Sequence, residues 1–295
     1  MAASPGTARL LGLAEQAEGL GYDAVWVGDS LFSRSRHEPL TLLAGVAAST
    51  TRVRLGTAVL LPALRNPVVL AQIVATLDRL AEGRLVLGCG VAPDSPGVRA
   101  EFAAAGVPFE QRVGRFVHGL RLCRELWSGN AVTWDGPYWS VTAATQHPTP
   151  HRAGGPPIWV GGSVAATLER TGRLFDGWFP VGGEVEGFID GLTTVRSAAA
   201  AAGRPADAVT AASYVTMSID PDTVKAEATL LAFLGEYYSP VPSAAMRRGQ
   251  NCYAGPLDGA FDYLRRFADA GAGHLCLRFV GEHEANLERF ATWSY

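Results

Sequence analysis

Gly161-Gly162-Ser163 is the triplet of this chain best placed to hold a ligand. It follows the apolar run Ile158–Val160 and precedes a helical stretch, Val164–Leu174. Glycine lets a backbone approach a bound group closely, and the free amides of a helix start favour an anion, so the chemistry on offer is phosphate binding. The same residues also read as an ordinary strand-to-helix turn with Ser163 as its N-cap. Asp29-Ser30 end a second strand, Asp23–Gly28, ahead of the polar, arginine-rich loop Leu31–His37. A serine hydroxyl orients a substrate but is a poor acid at neutral pH. His37, in the same loop, has the one side-chain type whose unperturbed pKa lies near neutrality.

Metal chemistry is not expected. Cys89, Cys123, Cys252 and Cys276 are scattered with no CxxC pair, which argues against a metal cluster and against a disulfide framework. His147 and His151 have i, i+4 spacing, but Pro148 and Pro150 break any helix that would align them.

The elements that must position these residues are organised around Arg52–Ala92. Strands Arg54–Leu61 and Leu85–Val91 flank a helix over Pro67–Leu80, a βαβ unit. In that helix Val69, Ile73, Leu77 and Leu80 recur at three- and four-residue spacing, which predicts a buried face. A helix to Leu20 precedes Asp23–Gly28, and helix Pro39–Ser49 follows it. Beyond Val91 the pattern predicts a short helix Val98–Ala105, a long one Glu110–Trp127, and a hairpin turning at Asp135-Gly136-Pro137. Then come strand Ile158–Val160, helix Val164–Leu174, strand Gly177–Val181, helix Val185–Ala202, strand Ala212–Ile219, helix Pro221–Tyr238, a long loop Ser239–Pro256, helix Leu257–Ala270, strand His274–Val280 and a terminal helix Glu284–Thr292. Strands and helices alternate with no linker, so residues 1–295 read as a single (β/α) domain. No G-x-G-x-x-G marks a first βα turn, which favours a TIM-type barrel over an open sheet. The barrel needs eight strands and about seven are read. The usual first strand is missing from the chain, which opens with a helix; either it lies upstream of Met1, or the barrel closes another way, or it is a seven-stranded, partly open barrel whose edge needs a cover.

With 48% hydrophobic residues the chain of 295 can bury a large core. A net charge of −3 gives no reason to expect nucleic acid or an anionic membrane. No apolar run reaches membrane-spanning length, and the N-terminus lacks the signal-peptide pattern, so a reducing cytoplasm is expected.

The phrases GYDAVWVGD, RLGTAVLLPALRNPVVLAQIVATLDRLAEGRLVLGCGV, EFAAAGVPFEQRVGR, LWSG, PPIWVGGS and DGWFP carry a family resemblance. Over most of its length the chain resembles the luciferase-like flavin/deazaflavin oxidoreductases, above all their F420-dependent branch. The resemblance implies a (β/α) barrel with the cofactor at the C-terminal ends of the strands, although the KxGxxLP-like opening phrase of that family is absent. It implies a cofactor phosphate at Gly161, Gly162 and Ser163, and a non-prolyl cis peptide within Thr57-Ala58-Val59 that would support the ring. Relatives often read Asp-His where this chain has Asp29-Ser30. The histidine's acid role therefore does not carry over; Ser30 and His37 are the catalytic candidates, and Asp29 a cofactor or loop ligand. Relatives acting on a glucose phosphate have a glutamate just after the next strand but one. Here that place falls at Pro93-Asp94, which argues against the same substrate. The implied activity is hydride transfer between F420 and a small organic substrate. A reduced-FMN monooxygenase or a non-catalytic flavin-binding barrel are the alternatives, and a homodimer is the implied assembly.

Overall fold

The computed structural model describes residues 6–32, 34–205, 207–239 and 241–293. The chain divides into two compact units, one ending at Ile158 and the other beginning at Trp159.

The first unit contains α1 (Thr7–Gly19), β1 (Ala24–Val27), α2 (Pro39–Ser49), β2 (Arg54–Thr57), α3 (Pro67–Leu80), β3 (Leu85–Cys89), α4 (Pro96–Ala104), α5 (Arg112–Leu126) and the strands β4 (Val132–Asp135) and β5 (Ser140–Ala144). Among the described residues no strand precedes α1. β1, β2 and β3 are parallel neighbours, with Trp26 opposite Gly56 and Leu55 opposite Leu85. β3 is buried along its whole length, as parallel strands covered on both faces are. Helix starts are set locally: Pro39 and Pro67 sit at first turns, and Glu38, Asn66 and Ser95 cap α2, α3 and α4 through their side chains. β4 and β5 pair antiparallel, and Tyr138 and Trp139 in the turn between them pack near Arg115 of α5.

Two expectations are corrected in this unit. The strand expected over Arg54–Leu61 ends at Thr57, because the backbone breaks step at a cis Ala58–Val59 peptide before Leu60 bridges to Cys89. α3 also turns the other way. Leu70, Ala71, Val74, Ala75 and Leu77 are buried, whereas Val69, Ile73 and Leu80 of the expected face are exposed. The small Ala71 and Ala75 make the inner face; the larger residues lie outside. α3 thus shows a second apolar stripe to solvent.

The second unit holds β6 (Ile158–Val160), α6 (Ala165–Leu174), β7 (Gly177–Trp178), α7 (Glu184–Ala201), β8 (Thr210–Ile219), α8 (Thr223–Tyr237), α9 (Ser243–Gly249), β9 (Cys252–Gly255), α10 (Leu257–Asp269), β10 (His274–Phe279) and α11 (His283–Phe290). Strand order is β6-β7-β8-β10, all parallel. β9 pairs in parallel with the last residues of β8, Thr216 to Ile219. It lies where the sequence suggests only a loop, because its four residues carry no alternation long enough to show. Trp178, Phe188, Leu192, Val195 and Phe267 form the core between the helices and sheet of this unit. α6 crosses α7 at Gly172, where a Cβ would stand 2.2 Å from the Val195 carbonyl oxygen and 2.8 Å from Ala198 Cβ.

Candidate active site

In (β/α) folds, functional groups gather where strands run out into loops. After β1, Asp29 is turned inward. Its Oδ2 accepts hydrogen bonds from the Leu61 amide at 2.9 Å and from Arg65 Nη1 at 2.5 Å, and Oδ1 accepts from Arg65 Nη2 at 3.2 Å. Arg65 also reaches Glu38 at 3.0 Å. Burial works against the Arg65 charge, but the Asp29 and Glu38 carboxylates outweigh it and raise its pKa above the usual value. The geometry therefore gives Asp29 the task of fixing the loop after β2.

Ser30 donates to the Glu101 carboxylate at 2.7 Å and accepts from the Arg34 amide at 3.0 Å. The Phe32 amide donates to the same Glu101 oxygen at 2.8 Å. Glu101, on α4, is buried. A hydroxyl has one donor and two acceptor sites, so Ser30 keeps one acceptor position. His37 is half-buried in the same loop, next to Glu38.

After β2, Thr57 is fully buried and donates to the Gly88 carbonyl at 2.8 Å. The Ala58 amide donates to the Val27 carbonyl at 2.7 Å, and Leu60 and Gly90 exchange backbone hydrogen bonds with β3 and the loop after β2. These bonds seat the cis peptide against both neighbouring strands. After β3, Asp94 is exposed and paired with Arg99 at 2.7 and 2.8 Å, which holds its carboxyl below the usual range.

In the second unit two glycine-rich turns follow one another, and only one is closed by the chain itself. At Gly182-Gly183 the start of α7 is filled: Asn251 Oδ1 accepts from the Glu184 amide at 3.0 Å, and Glu184 and Glu186 occupy the first turn. At Gly161-Gly162-Ser163 the start of α6 is open. Val164, not Ser163, is the N-cap, no side chain caps the helix, and no acidic residue lies in its first turn. Among the described residues the amides of Ser163, Val164, Ala165 and Ala166 make no hydrogen bond, and all four residues are exposed. A helix start left this way carries roughly half a positive charge. Gly162 has φ 122°, and a Cβ there would stand 3.3 Å from Thr167 Cγ2, so the turn needs glycine. Its carbonyl accepts from Trp178 Nε1 at 2.9 Å, which fixes the turn on β7.

The thiols take no part. All four cysteines are free and buried, and burial pushes the Cys252 thiol up to about 11 and the other three higher. Among the described residues no group of His, Cys, Asp and Glu has the arrangement of a metal site, and no helix is long and apolar enough to cross a membrane. Two side chains that shape these loops escape sequence reading: Arg65 and Glu101. Each meets its partners only through the fold, so no local spacing marks it.

The family model for luciferase-like monooxygenases matches residues 1–294. The chain belongs to the luciferase-like monooxygenase family. A curated relative, the F420-dependent glucose-6-phosphate dehydrogenase of Kineococcus radiotolerans, is 35% identical over 230 residues, 74% of this chain. The match spans 66% of that relative's length. Among solved structures, the monooxygenase RslO1 of Streptomyces bottropensis superimposes with a TM-score of 0.84 over 97% of this chain and 91% of its own, at 24% identity. The coenzyme F420-dependent tetrahydromethanopterin reductase of Methanopyrus kandleri gives 0.81 over 97% and 94%, at 19% identity. The fold of this family member is accordingly the luciferase-like (β/α) barrel.

Proposed function

We propose that the chain is an F420-dependent oxidoreductase, moving a hydride between coenzyme F420 and a small organic substrate by reducing an activated C=C or C=N bond or oxidising an alcohol. The observation that carries this reading is the 35% identity, over 230 residues, to a dehydrogenase named for that coenzyme. The open start of α6 supports it, because it offers unpaired amides of the kind that hold a phosphate. When bound, the deazaflavin supplies the hydride donor or acceptor at its ring carbon C5.

The chain's own residues would do the rest. The amides of Ser163 to Ala166 and the turn at Gly161-Gly162 would grip the phosphate. Thr57, Ala58 and Val59 would present a wall of fixed shape for the ring, since each is tied or packed in place. Ser30, held by Glu101 with one acceptor position left, would orient a substrate hydroxyl, and His37 would handle the proton. Asp29 contributes by keeping that loop in place through Arg65. Glucose phosphate is not proposed as substrate, because Pro93-Asp94 replaces the glutamate of those relatives and Asp94 is engaged with Arg99. We also propose a homodimer packed through the outer face of α3, where Val68, Val69, Ile73 and Leu80 are all exposed.

Titrating the purified chain with F420 and with FMN, following cofactor fluorescence, tests the reading. Tight F420 binding with turnover on a substrate panel is expected. Tight binding of FMN alone replaces it with the monooxygenase alternative.

A further inference from the structure

We propose that Arg278 anchors an oxyanion, a carboxylate or phosphate carried by the substrate. The proposal rests on the oxidoreductase reading above for the identification of its ligand as a substrate, and narrows that substrate to anionic molecules. Arg278 is the penultimate residue of β10 and stands opposite Thr216 of β8. Its Nε and Nη2 donate to Thr216 Oγ1 at 3.1 and 2.7 Å, and Nη2 also donates to the Tyr238 hydroxyl at 3.1 Å and to Gln250 Oε1 at 3.3 Å. Four aromatic rings surround the guanidinium: Tyr214, Phe233, Tyr237 and Tyr238, with centroids 5.3, 5.0, 5.0 and 5.6 Å from Cζ.

The carboxylate is what this cage lacks. Arginines withdrawn from water are normally paired with an acid, because an uncompensated charge there is costly. Among the described residues no Asp or Glu pairs with Arg278. Of the two glutamates on α8, Glu227 is taken by Arg247 at 3.2 Å and Glu236 is exposed. The rings compensate only in part, and as neutral groups. They also cover part of the half-buried guanidinium and restrict its plane. Nη1 makes no hydrogen bond among the described residues, so its two N–H groups remain to donate, while Nε and Nη2 are taken by Thr216, Tyr238 and Gln250. A fixed, half-buried cationic donor of this kind suits an oxygen of a carboxylate or a phosphate better than any neutral group. Its place at the C-terminal end of a barrel strand is where ligand contacts gather in this class of fold.

The test is calorimetric titration of the full chain, at low ionic strength, with inorganic phosphate and with succinate. Binding of at least one is expected, and which one binds more tightly tells a phosphate-bearing from a carboxylate-bearing substrate. Arg278→Met should weaken that binding about tenfold or more. Gln250→Glu, which keeps the arginine and its rings, should weaken it likewise by placing an internal carboxylate on the guanidinium. Phosphate held at the start of α6 survives both variants. Binding confined to that class, or no anion binding at all, overturns the proposal and leaves Arg278 as a clamp between β8, β10 and α8. F420 titration of the same samples separates the two readings. F420 binding without an Arg278-dependent anion site defeats this inference alone, whereas an Arg278-dependent anion site without F420 binding defeats the cofactor assignment alone.

Discussion

Asp29 and Arg65 are joined through both carboxylate oxygens, and the Asp29 side chain is only 2% exposed. The pair ties the loop after β1 to the turn after β2, and the Leu61 amide completes it. Removing one partner leaves a buried charge without its counterion. Arg65→Met should destabilise the chain by about 3 kcal/mol, read as a lowered urea midpoint with an unchanged slope. An unaltered midpoint would show that the loop is held by other contacts.

Glu18 gives the fold an acid-sensitive joint. Its carboxylate accepts from the amides of Thr51, Arg52 and Val53 at 3.0, 2.6 and 2.9 Å. Burial acts to raise its pKa, but these three hydrogen bonds prevail and bring it from 4.5 to about 2. A depressed carboxylate contributes stability that is present in full above its unfolded pKa and is lost as pH falls through the folded one. The window is therefore pH 4.5 down to about 2. Stability of the wild-type chain should fall across it more steeply than that of Glu18→Gln, as followed by circular dichroism at a series of pH values.

Gly162→Ala puts a side chain at φ 122° and 3.3 Å from Thr167. The turn must then change its path, which tilts the open amides away from their common focus. F420 affinity should drop about tenfold, and the strain at that φ should lower the thermal midpoint while leaving the chain folded at the assay temperature. Fluorescence titration beside a melting curve separates these effects. Equal affinity for both chains would move the phosphate site elsewhere.

α3 carries apolar side chains on both faces, and the outer set is exposed among the described residues. Val69→Glu combined with Ile73→Glu should convert a dimer into a monomer of the same fold, measured by light scattering on a sizing column. A wild-type chain that already elutes as a monomer would refute the proposed assembly.

The order of strands and helices was readable because parallel strands are near-continuous apolar runs and the helices between them are punctuated by proline, glycine and capping residues. α2, α3 and β6 begin and end where the pattern places them. What could not be read is what depends on the third dimension. The four-residue β9 is defined by the strand it lies beside, not by its own sequence. Spacing alone does not tell which face of α3 is buried, because Ala71 and Ala75 on the inner face carry a weaker hydrophobic signal than Val69, Ile73 and Leu80 outside. At the site, the glycine triplet announces itself through composition, whereas the partners of Asp29 and Ser30 lie 36 and 71 residues away. No spacing rule links residues so far apart.

Gly172 gives the open helix start a second master. Because α6 crosses α7 with no room for even a methyl group at that point, the axis of α6 is set by a contact near its opposite end. A bulky substitution there would swing the helix like a lever, displacing the amides at its front without touching the turn. Weakened cofactor retention in a variant with an intact Gly161-Gly162-Ser163 sequence should therefore be traced first to this crossing.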